Sequence, residues 1–284
     1  MFRGLYTATS GMMAHNRAQQ VLTNNISNAN TPGFKQDQTV QRAFPAQLIK
    51  AMGTTEISAD GSKRATHQQH IGSLNLGVYT QEGVPSFIQG ALKETGNKTD
   101  ISLLSELLPI DPTNQKKGTL TFAVATDNNQ VRYTQNGQFA VNENGFLTTT
   151  EGFNVLDLAL QPIQVGSEDF TVEENGQVVL NDGTGLNQLW LGYTANPEQF
   201  VKEGEGLLRW AGDADGAPTL VADVDLLNNT DTFVKQGFIE QSNVDLTQTM
   251  TDMMTAYRGF ESNQKIIQAY DRSMEKAVNE IGRV

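Results

Sequence analysis

Apolar positions along this chain follow three different rhythms. Residues 2–29 contain no proline, and Leu5, Met12, Leu22 and Ile26 fall on one stripe of 3/4 spacing whose intervening places hold Ala8, His15 and Gln19. That pattern predicts an amphipathic helix. Gly4, Ala8, Gly11 and Ala18 form a ridge of small residues beside the stripe. Each helical glycine costs about 1 kcal/mol relative to alanine, and a small ridge lets another helix approach closely.

At the other end, steps of four and three from Leu246 lead through Met250, Met253, Tyr257, Phe260, Gln264, Ile267, Asp271, Met274, Val278 and Ile281. Only Gln264 and Asp271 are polar, so the run reads as a seam of coiled-coil period. Ser242 or Asn243 can accept from the first free backbone amides, and Asp245 places negative charge at the positive end of the helix, which predicts a start near Val244. An apolar stripe often buries itself in its own domain. Here five heptads span roughly 50 Å at about 1.5 Å per residue. The shorter N-terminal helix cannot cover that length, and the surplus points to other subunits.

Between the ends, short alternating runs such as "GTLTFAVAT" (118–126), "QVRYT" (130–134) and "GQVVLNDG" (176–183) predict strands. Asn136-Gly137, Asn144-Gly145, Asn175-Gly176 and Asp182-Gly183 offer the positive backbone angles of tight hairpins. Residues 53–75 are polar, lack a helical stripe and read as an extended connection. The expected fold class is α+β and multidomain, with long N- and C-terminal helices forming a coiled-coil-like axial core and a mainly β outer domain inserted between them. The expected division is 1–36 plus 238–284 for the helical core, 37–92 plus 220–237 for the connector, and 93–219 for the β domain.

Charge sharpens this division. Residues 1–50 carry +4 and residues 235–284 carry −1, so of the net −12 the middle holds −15. An acidic body argues against nucleic acid, because phosphate binding needs a basic surface. The 284 residues include no cysteine, which removes disulfides, thiolate nucleophiles and cysteine metal sites. The first twenty residues lack the apolar run of a secretory signal, and no stretch reaches the length of a membrane span.

The remaining motifs carry little chemistry. His67 and His70 have a spacing that could offer two imidazoles on a helix, but no third ligand lies beside them. "GDADGAP" imitates the start of a calcium loop, yet the sixth and twelfth places from Asp213 hold Pro218 and Val224 rather than glycine and glutamate. "EGEG" (203–206) lacks the third glycine of a nucleotide fingerprint. All three histidines lie outside the β region, so a Ser-His-Asp triad has little to draw on. No catalytic residue, cofactor or metal site is assigned. A secreted glycan-binding module on an oligomeric helical stalk is the rival reading, and a carboxylate-dependent hydrolase a weaker one.

Both ends resemble one family. "TATSGMMAHNRAQQVLTNNISNANTPGFKQ" (7–36) resembles the N-terminal signature of the flagellar axial proteins of the rod and hook-basal-body group. "GFIEQSNVDLTQTMTDMMTAYRGFESNQKIIQAYD" (237–271) is similar to their C-terminal pattern, and "QVRYTQNGQFAVNENGFLTTTEGFNVL" (130–156) to their central segment. One stretch departs: "SLLSELLPIDPTNQKKGTLTFAVAT" stands where the group usually carries Gly-x-Gly-Phe-Phe. The resemblance implies a distal-rod-like structural subunit of the bacterial flagellum basal body. It also implies export by the flagellar type III apparatus, and as partners further copies of itself and other rod and hook proteins. Leu5, Met12, Leu22, Ile26 and the apolar seam positions from Leu246 to Ile281 are then the expected subunit-packing residues.

Asparagines at 24, 25, 28 and 30 close the N-terminal helix. Asparagine is poor inside helices and good at their ends, and Thr31-Pro32-Gly33-Phe34 suits a type II turn. One cap would suffice, so Asn24 and Asn25 are expected to offer spare amides to neighbouring subunits.

Overall fold

The computed structural model describes residues 2–45, 47–52, 68–74, 77–81, 83–105, 108, 117–180, 185–213, 216–221 and 232–281. The chain divides into two compact units. One comprises Met1–Asn24, Gln38–Gly83 and Thr247–Val284, the other Asn25–Asp37 and Val84–Leu246.

The first unit holds most of two helices, α1 (Phe2–Ser27) and α2 (Leu246–Lys276), the latter running on into a π-type turn at Ala277–Ile281. Both lie within two residues of the expected ends. Gln41–Ala43 pairs antiparallel with Val78–Thr80, and this ribbon is tied to α1 where Ser10 Oγ accepts from the Val78 amide and Thr80 Oγ1 donates to the Ala14 carbonyl. Gln47–Met52 pairs antiparallel with Gln68–Leu74. Of the polar connector, 53–67 lies outside the described residues, His67 with it. His70 belongs to a strand, where the helical spacing that suggested a metal pair does not exist.

In the second unit the strand Thr119–Ala125 is the centre of a nine-stranded sheet. Val131–Thr134 pairs along one edge. The other edge is shared, with Leu191–Thr194 beside its first half and Asn154–Val155 beside its second. Flanked on both sides and covered on both faces, the strand is buried from Thr119 to Val124, which is why it carries no charged residue. Phe122 meets Phe139 edge-to-face at 5.1 Å between ring centres. They anchor a core that includes Leu120, Leu147, Val155, Phe170 and Leu189. On the opposite face Tyr133 lies between Trp190, tilted at 5.5 Å, and Phe200, edge-on at 5.6 Å, and burial pushes its phenol pKa up.

The hairpins correct one expectation. At 126–130, 142–146, 149–153, 157–161 and 173–177 the first residue's carbonyl accepts from the amide three positions on, and its amide donates to the carbonyl four positions on. The fourth residue of each turn has positive φ: Asn129, Gly145, Gly152, Leu160 and Gly176. This is a type I turn closed by one left-handed residue, so the glycines of Asn144-Gly145 and Asn175-Gly176 serve alone and the preceding asparagines stay at ordinary φ. Gly137 is not left-handed at all. It is glycine because an added Cβ would run into the Ile101 backbone carbonyl. Asp182-Gly183 lies outside the described residues. "EGEG" is the hairpin between Phe200–Gly204 and Leu207–Trp210, and "GDADGAP" starts a turn in which the Gly216 amide donates to the Asp213 carbonyl.

Candidate functional site

Within the first unit, α1 and α2 lie against each other through the small-residue ridge. A Cβ added at Gly4 would collide with the Tyr270 ring, one at Gly11 would meet the Asn263 amide at 2.8 Å, and one at Gly259 would strike the His15 imidazole. Seven steps forward along α1, from Gly4 to Gly11, match seven steps back along α2, from Tyr270 to Asn263. Four more reach His15 and Gly259. The helices are therefore antiparallel, and glycine stands where each large side chain needs room.

This contact uses only half of the seam read from apolar spacing. Met253, Phe260, Ile267 and Met274 are at least partly buried, but the alternate column is Thr249, Ala256, Asn263 and Tyr270, with Thr249 and Ala256 fully buried. Small and polar residues pair with α1 because its own ridge leaves little volume to fill. The apolar column that sequence spacing favoured lies one position round the helix and is exposed: Leu246 is 38% exposed, Met250 50%, Tyr257 55% and Val278 73%, with Met254 at 56% beside them. The side chain of Ile281 lies outside the described set.

Gln19 and Thr23 of α1 and Met253, Met254, Tyr257 and Arg258 of α2 line an open groove of about 460 Å³ with mostly apolar walls. The Gln19 Nε2 is buried there without a hydrogen-bond partner among the described residues. On α1, Leu5, Met12, Leu22 and Ile26 are half-buried, while Tyr6 and Met13 stand out at 66% exposure each.

In the second unit the two terminal signatures meet. After α1 the Phe34 amide donates to the Thr31 carbonyl and Gly33 has φ +68°, the expected type II turn with glycine where the positive angle falls. The Asn25 side chain, 3% exposed, clamps Asp37 in both directions, its Nδ2 donating to the Asp37 carbonyl and its Oδ1 accepting from the Asp37 amide, each at 2.9 Å. The Asn25 amide thus serves the chain's own turn, whereas Asn24 is exposed.

The same turn carries Lys35, buried with Glu240 as an ion pair. Lys35 Nζ also donates to the Ile88 carbonyl, Glu240 Oε1 accepts from the Gly90 amide, and the Glu240 carbonyl accepts from the Gly33 amide. Asn243 is not a helix cap. Its Oδ1 accepts from the Gln36 amide at 2.7 Å and its Nδ2 donates to the Ser86 and Ile88 carbonyls, while Ser242 Oγ accepts from the Val244 amide at 3.4 Å. Lys202 completes the cluster: Nζ donates to the Lys35 carbonyl and to Asp37 Oδ1 and lies 4.2 Å over the Phe34 ring. Burial pulls the Lys202 pKa down, against the raising effect of Asp37. Sequence spacing gave no sign of this clamp, since Lys35 and Glu240 are 205 positions apart. The one available signal was a single charge in each of the short stretches "NTPGFKQ" (30–36) and "GFIEQSN" (237–243).

Among the described residues no group of His, Asp and Glu is arranged to hold a metal ion, and no helix is long and apolar enough to cross a membrane. The geometry offers two built features: a helix pair with an uncovered apolar column, and a buried polar clamp that joins the chain's two ends.

Comparison with known proteins matches three family models. "Flagella basal body rod protein" covers residues 5–35, "Flagellar hook protein FlgE/F/G D1 domain" covers 117–180, and "Flagellar basal body rod FlgEFG protein C-terminal" covers 235–280. The middle match begins at residue 117, inside the departing stretch and two residues before the central strand. Over its whole length the chain is 42% identical to all of the flagellar hook-basal body complex protein FlhO of Bacillus subtilis. It is 30% identical to the flagellar basal-body rod protein FlgG of Agrobacterium fabrum over 95% of each chain, and 29% identical to FlgG of Bacillus subtilis over 98% of this chain and 99% of that one.

Proposed function

The chain belongs to the flagellar basal-body rod family, and from that membership we propose that its paired terminal helices build the axial core of a rod segment that transmits torque. It is a structural subunit of the flagellar rod and hook-basal body complex, not an enzyme. Family membership implies assembly with axial proteins. Assembly with further copies of itself in a distal-rod-like position, and delivery by the flagellar export apparatus, are the finer reading.

The observation that carries it is the uncovered column Leu246, Met250, Met254, Tyr257 and Val278 on a helix whose opposite face is already filled by α1. An apolar stripe of that length on a helix pair is suited to burial against neighbours. Met253, Phe260, Ile267 and Met274 hold α1 within the subunit. Leu5, Met12, Leu22 and Ile26 flank the same contact and take part where neighbours close over it. A head-to-tail contact repeated along a helical lattice does not close, so one chain can extend a rod. Stiffness then comes from many interlocked helix contacts, with no bond made or broken. The clamp at Lys35, Glu240 and Asn243 supports this reading by fixing where both ends of the chain leave the β body.

The test is to isolate hook-basal bodies and locate the tagged chain along their axis by immunogold labelling. Label at the rod beside the hook is the expected result. Label confined to the proximal rod or the hook would overturn the distal assignment, and its absence from the particle would overturn the self-assembly reading.

A further inference from the structure

We propose that Met250 and Met254 are oxidation sites: a peroxide that converts their thioethers to sulfoxides keeps a free chain out of the rod while leaving its β body intact. This rests on the structural reading above and assigns a chemistry to the exposed column of α2.

The first observation is where sulfur lies. All eight methionines fall within positions 1–52 or 250–284, and residues 53–249 contain none. Every one belongs to the unit that carries the paired helices, so the β body has neither methionine nor cysteine. With no thiolate in the chain to react first, the thioethers are the only sulfur a peroxide meets.

The second is exposure. Met250 is 50% exposed, Met254 56% and Met13 66%, whereas Met12, Met253 and Met274 are partly buried. Met250 and Met254 stand four residues apart on α2 and so share a face, and Met254 lines the open groove with Tyr257 and Met253. The same thioethers are therefore open to solvent in the free chain and covered once neighbours close over the column.

The chemistry turns that difference into a switch. Each event breaks the O–O bond of one peroxide molecule. One oxygen forms a bond to sulfur, which gives up two electrons, and the other takes both protons and leaves as water. An apolar, flexible side chain becomes a polar one. Two such oxygens on one helix face, pressed against apolar neighbours without donors, oppose the burial that the rod requires.

Two measurements test this. In the first, the purified chain is treated with hydrogen peroxide and mapped by mass spectrometry. Sulfoxide at positions 13, 250 and 254 ahead of 12, 253 and 274, with an unchanged β-body thermal midpoint, is expected. Equal or reversed order, or a lowered midpoint, would overturn the assignment.

In the second, the parent chain and the double variant Met250→Leu with Met254→Leu, a swap that nearly conserves volume, carry different tags in one cell. Basal bodies are isolated after growth with hydrogen peroxide at a dose that yields sulfoxide at 250 and 254 in unassembled parent chain. Relative to untreated cells, the ratio of leucine variant to parent in the particles should rise several-fold. An unchanged ratio would overturn the switch. The double variant Met250→Gln with Met254→Gln, polar without any oxidant, should enter several-fold less than the parent. If it does so while the peroxide ratio stays unchanged, only the oxidation proposal falls. Incorporation of the glutamine variant at the parent level, or absence of the parent chain from the particles, would instead remove the reading on which the proposal rests.

Discussion

The buried ammonium of Lys35 and the buried carboxylate of Glu240 join two terminal motifs that lie 205 positions apart in sequence. Around them, Lys35 Nζ also donates to the Ile88 carbonyl, Glu240 Oε1 accepts from the Gly90 amide, and the Glu240 backbone carbonyl accepts from the Gly33 amide. Such a pair holds its geometry by being complete. Removing one member leaves a charge without compensation in a site that water does not reach.

Glu240→Ala or Lys35→Met should therefore each destabilise the β body by about 3–5 kcal/mol. The double variant Lys35→Met with Glu240→Leu should recover much of that loss, since an apolar pair leaves no stranded charge. Urea midpoints of the three variants check this. Equal losses in single and double variants would show that the ion pair itself, and not its completeness, carries the stability.

Gly11→Leu and Gly259→Val should each separate α1 from α2, because a side chain there meets Asn263 or His15 at once. Overpacking of this kind costs about 1–3 kcal/mol. The β body should melt as in the parent chain, while helical signal is lost at lower denaturant. A variant that retains both transitions would contradict the antiparallel contact.

Leu160 occupies the left-handed position that glycine or asparagine fills in the four equivalent hairpins. A leucine there pays about 1–2 kcal/mol in backbone strain, and at 45% exposure it gains little from burial. Leu160→Asn should raise stability by up to about 1 kcal/mol, read as a higher thermal midpoint. An unchanged or lower midpoint would mean that the leucine side chain contributes more than its exposure suggests.

The Glu203 carboxylate accepts from Arg132 Nε and Arg209 Nε. The hydrogen bond from Arg132, with a smaller contribution from Arg209, holds its pKa below the ordinary value of 4.5. A carboxyl depressed in the folded state binds fewer protons there than when unfolded. Its stabilising effect is fully present above the ordinary value and is lost as pH falls through the folded one. Glu203→Gln should thus weaken the chain at pH 7 and narrow its gap to the parent at pH 3, by urea denaturation at both. A gap that widens on acidification would reverse the sign assigned here.

How far the sequence foretold this molecule depended on the range of the interaction. Local rules placed both helices, the type II turn at Thr31–Phe34 and the central strand, because each is decided by residues within a few positions. The small ridge on α1 was legible too, since glycine in a helix needs a reason. What apolar spacing did not show was which column faces α1. It selected Met250 and Tyr257 for contacts with other subunits, and they stand exposed, while Asn263 meets Gly11 of α1 and Thr249 and Ala256 are buried, so complementarity of volume decides the contact within the chain. The clamp was invisible because a lone lysine and a lone glutamate carry no periodicity. Asn243 shows the same limit: by local rules it is a good cap, but three backbone groups from distant segments claim its amide.

The central claim is that the exposed α2 column joins subunits while the β body folds without it. The most direct measurement is the amount of Tyr257→Asp chain in purified hook-basal bodies, taken beside the thermal midpoint of the same purified variant. The account predicts an unchanged β-body midpoint and a loss of incorporation of at least tenfold. Incorporation at the parent level, with the substitution verified in the particle, would contradict it.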